Sequence, residues 1–353
     1  MRKKILILTI PLITLSCLKL YDPVIIDGGY SFLSGHGAFV INEGNFRGGN
    51  GSLSFFSYDS ARLFNNVFMS VNNRPLGDVP YSMSITSNRA YIVVNNSGKI
   101  EVTDRNTITS IETINGLISP RYLAAVNDVK AYVTSLYSDS IVIVNLETNT
   151  VSGYIDLGCS SEGIIINHSL AYVANWVGGN RIFVINTLDD QVVDSIEVGM
   201  EPESMAMDLN NYLWVLCNGG WQRENFAELV AINTFNNQIE KRFTFPSIND
   251  SPTSLQIDGT GGTLLFLDDG IKKMSIYDNE IPRSFFISPL NHNFYKLGIN
   301  PANNEIFVTD VSDYQHKGSL LVYNTGGGLI SEYPAEIIPG GINFKLYSDP
   351  YGQ

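Results

Sequence analysis

The chain has 353 residues and a formal net charge of −13. This charge argues against a nucleic-acid partner, which requires a basic surface. Charged residues make up only 16% of the chain, whereas 18 Tyr and 18 Phe residues give it many aromatic rings. Together with abundant polar turn formers, this composition is typical of strands and tight turns. A closed β architecture can use such a length as one domain with a large core.

The N-terminus predicts export. Basic residues at 2–4 precede the apolar run ILILTIPLITL, which is too short for a membrane span and is typical of a secretory signal. Ser16 and Cys17 follow it and resemble a bacterial lipobox, although Thr14 stands where Leu is usual. A plain signal peptide with a chance Cys17 is the alternative. We expect a signal peptide over 1–16 and a lipidated Cys17 with a tether over 17–33, so that acyl chains anchor the protein without a span.

Seven segments spaced by about 40 residues share one apolar pattern, a period that signals a repeat fold. They begin at residues 80, 120, 161, 202, 252, 294 and 339 and read PYSMSIT, PRYLAAV, SEGIIIN, PESMAMD, PTSLQID, FYKLGIN and PGGINFK. The fourth and sixth residues of every segment are apolar, which is the alternation of a β-strand. Further strands and short turns follow, as in AYVANWVGGNRIFVIN, so that one repeat contains four strands.

The two ends of the chain complete each other. The first hairpin, GAFVINEGNFRGGNGSLSFFS, has no start segment before it, and the last start segment, PGGINFK, has no hairpin after it. The C-terminal strand therefore completes the first repeat as its innermost strand. We predict an all-β, seven-bladed β-propeller of four-stranded blades over residues 34–353, without sustained helical periodicity.

One face of this propeller has short polar turns, whereas the loops of the other face are rich in aromatic and charged residues. Loops on a rigid scaffold often bind ligands, and aromatic rings with a polar tip are efficient contact residues. The alternative for any single ring is that it only covers the end of a blade. The candidate ligand-binding residues are Tyr81, Arg121, Tyr122, Tyr137, Glu162, Trp176, Glu203, Trp221, Tyr295 and Tyr314.

Signals for an enzyme or a metal site are weak. The four His residues have no metal-ligand spacing, and neither a nucleophile elbow nor a P-loop is present. Glu162 and Glu203 enter adjacent innermost strands and could form a cation site or an acid/base pair, but solvated carboxylates are the favoured interpretation. Cys159 and Cys217 could form a bridge in an exported protein, although two free thiols are favoured. We predict no catalytic residue, no metal and no cofactor.

Several stretches resemble a known family: INEGNF, VVNNSGKIEV, SPRY, AYVT, VGMEPESM, VSDYQHKGSLLVYN and IIPGGINF. They are similar to the YncE-like propeller lipoproteins of Bacteroidetes, the DUF5074 type, from about Ala38 to Phe344. Within that family the chain is similar to the BtuG-type surface lipoproteins. The resemblance implies a lipid-anchored outer-membrane protein that binds cobalamin as a ligand and passes it to a TonB-dependent transporter. LKLYDP after Cys17 lacks the acidic run that often marks surface export, so cell-surface display and a periplasmic location both remain open.

Three functions are compatible with these observations. The first is a corrinoid-binding module with a transporter partner. The second is a propeller that binds another ligand or a protein at the cell surface. The third is a lyase or lactonase-type enzyme, for which clustered His and acidic residues at the channel mouth would be the structural sign.

Overall fold

The computed structural model describes residues 31–346, in which seven antiparallel β-sheets form the blades of a propeller. The predicted fold is thereby confirmed. The predicted signal peptide, Cys17 and most of the tether lie outside the described residues. Within the described part, no helix has the length and apolar character needed to span a membrane.

The strands are numbered in chain order. Blade one begins with β1 (Gly37–Asn42), β2 (Ser52–Ser57) and β3 (Arg62–Phe64). Blade two contains β4 (Pro80–Ile85), β5 (Arg89–Val94), β6 (Lys99–Asp104) and β7 (Ser110–Asn115). Blade three contains β8 (Pro120–Ala125), β9 (Lys130–Ser135), β10 (Ser140–Asn145) and β11 (Thr150–Asp156). Blade four contains β12 (Ile164–Asn167), β13 (Leu170–Asn175), β14 (Arg181–Asn186) and β15 (Gln191–Glu197).

The second half continues in the same order. Blade five contains β16 (Pro202–Met207), β17 (Tyr212–Cys217), β18 (Glu228–Asn233) and β19 (Gln238–Thr244). Blade six contains β20 (Thr253–Ile257), β21 (Thr263–Asp268) and β22 (Gly270–Ser275). Blade seven contains β23 (Phe294–Ile299), β24 (Ile306–Asp310), β25 (Lys317–Tyr323) and β26 (Leu329–Ile337). The last strand, β27 (Pro339–Lys345), joins blade one.

The ring closes as the sequence predicts. Strand β27 pairs antiparallel with β1, so that Gly37 lies opposite Lys345 and Val40 opposite Ile342. The innermost strands contact one another in the cyclic order β27, β4, β8, β12, β16, β20 and β23, and β23 returns to β27. Because both β1 and β27 have their terminal ends at Gly37 and Lys345, the described chain enters and leaves on the same face.

The core consists of seven layers between neighbouring blades. For example, Trp214 of blade five is buried with Phe245 and Phe266, the latter from blade six. Every residue of β1 and β2 is buried, whereas the outermost strand β19 alternates between exposed and partly buried residues. The strands repeat because each sheet must present an apolar surface to a blade on either side.

Three features differ from the predicted pattern. In the described residues blade six has three strands, and Ile287 makes a single antiparallel bridge to Ile271 in place of a fourth. A short helix, α1 (Val67–Asn72), follows β3, and Phe68 from it is fully buried in the layer between blades one and two. A 3-10 helix also spans Ser31–Ser34. Such short helices are below the length that periodicity detects.

Candidate functional site

The face that carries the candidate residues is called the mouth face, and the opposite face, with the short turns, the turn face. In six blades the innermost strand has a register irregularity at or near its mouth end. Such bulges redirect side chains. In four blades the residue before the first proline of this strand has a φ of 42° to 53°: Val79, Ser119, Glu201 and Ile338. The carbonyl of each accepts the N–H that follows the second strand. This turn fixes where the innermost strand begins.

The mouth surrounds an open cavity of about 530 Å³. Eight of the ten candidate residues line it: Tyr81, Arg121, Glu162, Trp176, Glu203, Trp221, Tyr295 and Tyr314. Tyr122 follows Arg121 in β8 and lines a narrower channel of about 250 Å³. Tyr81 and Glu203 also line this channel. Tyr137 is 77% exposed and lies outside the lining of both cavities.

The first buried ion pair lies between blades three and four. Arg121 donates from Nε and Nη2 to the two carboxylate oxygens of Glu162, at 2.7 and 2.8 Å. The Tyr81 hydroxyl donates to the same carboxylate at 2.9 Å, and its ring lies 3.3 Å from the guanidinium carbon. Burial opposes the charge of Arg121, but Tyr81 and Glu162 outweigh it and raise the pKa of the guanidinium. Both charges are therefore held in one planar, neutral unit.

The second ion pair crosses from blade five to blade seven. Lys296 Nζ lies 3.1 Å from Glu203 Oε1, while Glu203 Oε2 accepts the backbone N–H of Ser254 at 2.7 Å. Burial alone would raise the pKa of the Glu203 carboxyl, but the Lys296 charge and hydrogen bonds lower it. Burial would likewise lower the pKa of the Lys296 ammonium, but the Glu203 charge helps to raise it. This pair is also neutral as a whole.

Glu43 is the third carboxylate of the mouth and forms no ion pair within the described part of the chain. The Tyr295 hydroxyl donates to Glu43 Oε1 at 2.9 Å, and the Tyr295 ring packs edge-on against Tyr314. Burial raises the pKa of the Glu43 carboxyl, although the Tyr295 hydrogen bond and the charge of Lys296 act in the opposite direction. Its other oxygen is left without a hydrogen-bond donor in the described structure.

Two tryptophans complete the mouth. Trp176 is partly buried, and its indole Nε1 is buried without a hydrogen-bond partner among the described residues. Its ring centroid lies 5.7 Å from the guanidinium carbon of Arg121. Trp221 is 84% exposed and lies in the loop 218–227, where Gly219 and Gly220 both have positive φ. One indole thus has an unused donor that is buried beside the cavity, and the other offers a ring at the edge of the cavity.

The two strand-entry carboxylates are not solvated, and the prediction that they would be is wrong. Glu162 is buried against Arg121, and only a small part of the Glu203 side chain is exposed beside Lys296. The described residues contain no group of three or more His, Cys, Asp or Glu side chains suited to a metal ion. Cys159 and Cys217 are both free thiols, as favoured from the sequence.

A family model described as Domain of unknown function (DUF5074) matches residues 36–341. The chain belongs to the DUF5074 family. No curated protein sequence matches it.

Solved structures resemble this DUF5074 propeller at low sequence identity. A quinonprotein alcohol dehydrogenase-like protein from Bacteroides thetaiotaomicron shares 13% identity over 89% of this chain and 78% of its own, with a TM-score of 0.69. A 6-phosphogluconolactonase-like protein from Bacteroides fragilis shares 10% over 88% and 98%, with a TM-score of 0.66. A functionally unknown protein from Desulfotomaculum acetoxidans shares 14% over 87% and 98%, with a TM-score of 0.65. These likenesses support the propeller fold alone.

Some residues of the DUF5074 mouth were not predicted. Lys296 is the third residue of FYKLGIN and occupies the repeat position of Tyr122, which was the signal available for it. Glu43 follows the end of β1, outside the start segments, and reaches the mouth because blade one closes there. The other unpredicted lining residues are Asn218, Arg223, Ser251, Thr253 and Phe294.

A second large cavity, of about 610 Å³, opens on the turn face between blades two and three. It is lined mainly by the residues of two tight turns. Its Arg89 donates to the carbonyl of Leu146, another lining residue, and to the side chain of Asn149 at 3.0 Å. The mouth is the better candidate because it leaves polar atoms without partners among aromatic rings.

Proposed function

We propose that this DUF5074 propeller binds a neutral, amide-bearing ligand of the corrinoid class at its mouth, without catalysing a reaction on it. The observation that carries the proposal is the pairing pattern of the mouth. Both buried cations already have carboxylate partners, while among the described residues Glu43 accepts a side-chain hydrogen bond only from Tyr295 and the donor Trp176 Nε1 has no partner. Such a cavity selects for hydrogen-bonding groups rather than for charge.

A carboxamide presents both a donor and an acceptor, so it complements these two groups. Its N–H₂ would donate to the free oxygen of Glu43. A carboxamide oxygen would accept from Trp176 Nε1, which is buried and would have to turn toward the ligand. An anionic ligand gains less, because Arg121 and Lys296 would first have to leave Glu162 and Glu203. A corrinoid is a flat macrocycle fringed with amides, and aromatic side chains suit its faces.

Size also favours a ligand that is only partly enclosed. A cavity of about 530 Å³ lies within the range of small-molecule pockets, roughly 300–1,000 Å³, but a corrinoid exceeds a drug-sized ligand. Part of it would therefore extend above the mouth. Exposed rings at the mouth face, including Trp221, Tyr314 and Tyr137, are available to contact that part.

The cellular setting is part of the proposal. Lipidation of Cys17 would hold the propeller at the outer membrane, at the cell surface, where a TonB-dependent transporter would receive the ligand. Cys17→Ala should release the protein from the membrane fraction into the soluble fraction. Unchanged membrane association of this variant would exclude the lipobox, and protease treatment of intact cells would locate the propeller at the surface or inside.

Calorimetric titration with cyanocobalamin tests the ligand. Loss of one large aromatic contact should cost about 2 kcal/mol, or roughly thirtyfold in affinity. Trp176→Ala combined with Trp221→Ala should therefore weaken binding much more than the turn-face control Asn210→Ala. Equal effects of the two changes would show that the ligand binds elsewhere, and no heat with any corrinoid would overturn the ligand class.

A further inference from the structure

One of the seven innermost strands contributes no side chain to the mouth at the position where the other six do. The second residue of the first six start segments lines the mouth cavity in every case: Tyr81, Arg121, Glu162, Glu203, Thr253 and Tyr295. In the closing strand β27 the same position is Gly340. The ring of side chains around the mouth therefore has a gap at blade one.

Glu43 fills this gap from the end of β1. A Cβ atom on Gly340 would lie 2.8 Å from Glu43 Oε1, so a side chain at position 340 would displace the carboxylate. The backbone of this segment is fixed to the closing strand, because the N–H of Glu43 donates to the carbonyl of Ile338 at 2.8 Å and that of Gly44 to Ile337 at 3.0 Å. The carboxylate thus stands on rigid main chain, in the space that the glycine leaves.

One oxygen of this carboxylate is accessible. Oε1 accepts the hydrogen bond of the Tyr295 hydroxyl at 2.9 Å. Oε2 has no hydrogen-bond partner among the described residues, yet it is not buried, in contrast to Trp176 Nε1. Because Glu43 lines the mouth cavity, a bound ligand can reach Oε2.

The cations of the mouth leave the Glu43 carboxylate without a contacting positive charge. The two buried cations already have carboxylate partners. The remaining cation of the cavity lining, Arg223, is exposed on the loop 218–227, where water screens its charge. A ligand group beside Oε2 therefore meets a negative charge that no cation contacts within the described part of the chain.

This arrangement separates two ligand groups that have nearly the same shape. A carboxamide has two N–H donors, one of which can satisfy Oε2 of Glu43. An ionised carboxylic acid has only acceptors, and it would bring a second negative charge close to the first. Hydrogen bonding and charge, rather than size, therefore discriminate between the two groups at this position.

We propose that Glu43 is a specificity-determining residue of the mouth, which accepts a corrinoid side arm that ends in a carboxamide and rejects the same arm as a free carboxylic acid. This role rests on the proposed function and deepens it, because it assigns the choice between amide and acid to one side chain. The propionamide arms are the longest arms of the macrocycle that end in a primary carboxamide, so one of them would occupy the place beside Glu43.

The test compares cyanocobalamin with its three monocarboxylic acids, in each of which one propionamide is hydrolysed. Each probe is titrated by calorimetry at pH 8 into the chain 18–353, which contains every described strand. We expect one of the three acids to bind about a hundredfold more weakly than cyanocobalamin, because a charge-assisted hydrogen bond is lost and a like charge is added. The other two acids should bind within about fivefold of cyanocobalamin.

Variants identify the residue that makes the choice. Glu43→Gln removes the charge and supplies a donor, so the hundredfold ratio should fall below about fivefold. The same change on the turn face, Glu147→Gln, should leave the ratio as it is in the wild type. Trp176→Ala should weaken all four probes by a similar factor, because its indole contributes to affinity without distinguishing this arm.

Equal affinity of wild type for cyanocobalamin and all three acids would overturn this role of Glu43 and leave corrinoid binding intact. A hundredfold ratio that persists in Glu43→Gln would also overturn it, and would assign the choice to another part of the mouth. No heat with any of the four probes would overturn the proposed ligand class and this role together. The outcomes therefore separate a failure of the specificity assignment from a failure of the proposed function.

Discussion

The two strand-entry carboxylates of the mouth, Glu162 and Glu203, occupy the same position in adjacent blades, yet their surroundings differ. Glu162 pairs with Arg121 of the preceding blade through two parallel hydrogen bonds. Glu203 pairs with Lys296, two blades further on, through one contact and accepts a backbone N–H as well. The repeat therefore determines the backbone position of each carboxylate but not the cation with which its side chain pairs.

This difference follows from the chemistry of the two cations. A guanidinium is planar and matches both oxygens of one carboxylate, so Arg121 can stack on Tyr81 while it binds Glu162. An ammonium is a point charge on a long stem, so Lys296 can cross the channel and leave the second oxygen of Glu203 to Ser254. One side of the mouth is thus a rigid stacked unit, and the other is a brace across the ring.

Opening the ring should disrupt both pairs at once and give the largest effect. Truncation before Pro339 removes β27, which exposes the edge of β1 and leaves the contacts of β27 with β23 and β4 unmade. We expect the melting temperature to fall by more than about 10 °C, measured by circular dichroism. A truncated chain that melts within a few degrees of the full chain would show that β27 does not close the propeller.

The stacked pair should be the more sensitive of the two to loss of its carboxylate. Glu162→Ala leaves the Arg121 charge buried without a partner, which should destabilise the protein by about 3–5 kcal/mol in urea denaturation. The double variant Glu162→Leu with Arg121→Met should recover most of this loss, because it removes both charges together. Equal losses in the single and double variants would mean that packing, not charge, dominates at this position.

The bracing pair should show a smaller, pH-dependent effect. Because Lys296 and hydrogen bonds lower the pKa of Glu203, its carboxylate contributes stability above the unfolded pKa near 4.5 and loses it as the pH falls through the folded pKa. Glu203→Gln should therefore cost about 1–2 kcal/mol at pH 7, and the difference from wild type should shrink in acid. Thermal melts of both proteins across this pH range provide the measurement. A difference that does not vary with pH would exclude the charge as its cause.

Glu43 has no cation partner among the described residues. Removing its charge should therefore change the stability in the opposite direction to removing the charge of Glu203. Burial raises the pKa of Glu43, so the folded state holds the proton more tightly than the unfolded state, and stability falls as the pH rises from 4.5 through the folded pKa. Glu43→Gln keeps an oxygen for the Tyr295 hydroxyl and removes the charge. We expect a gain of about 1 kcal/mol or less at pH 7 and a flatter acid profile. A loss of stability at pH 7 would refute this account of Glu43.

The fold could be predicted from the sequence because it depends on a repeated local pattern. The apolar fourth and sixth residues of each segment identify the innermost strands, and the unmatched ends of the chain identify β27 as the closing strand. The missing fourth strand of blade six was not predicted, because the segment after β22 was assigned by analogy with the other repeats.

Most of the residues that line the mouth could be predicted from the sequence, but the ion pairs that they form could not. The repeat places five residues around the mouth, because each is the second residue of its segment: Tyr81, Arg121, Glu162, Glu203 and Tyr295. Which cation reaches which carboxylate depends on side-chain lengths and directions across blades, which no local pattern contains. The buried state of Glu162 and the reach of Lys296 therefore required the structure.

Closure by β27 also has a consequence for the order in which the protein matures. Of the described strands, the one that completes blade one is the last to leave the ribosome, whereas β1 and β2 of the same sheet are the first. Domains tend to fold as they emerge, but this ring cannot close until β27 has been synthesised. A chain interrupted late in translation would keep an unpaired strand edge at blade one, where proteases and chaperones recognise incomplete proteins. Only a chain that includes β27 would have this edge covered.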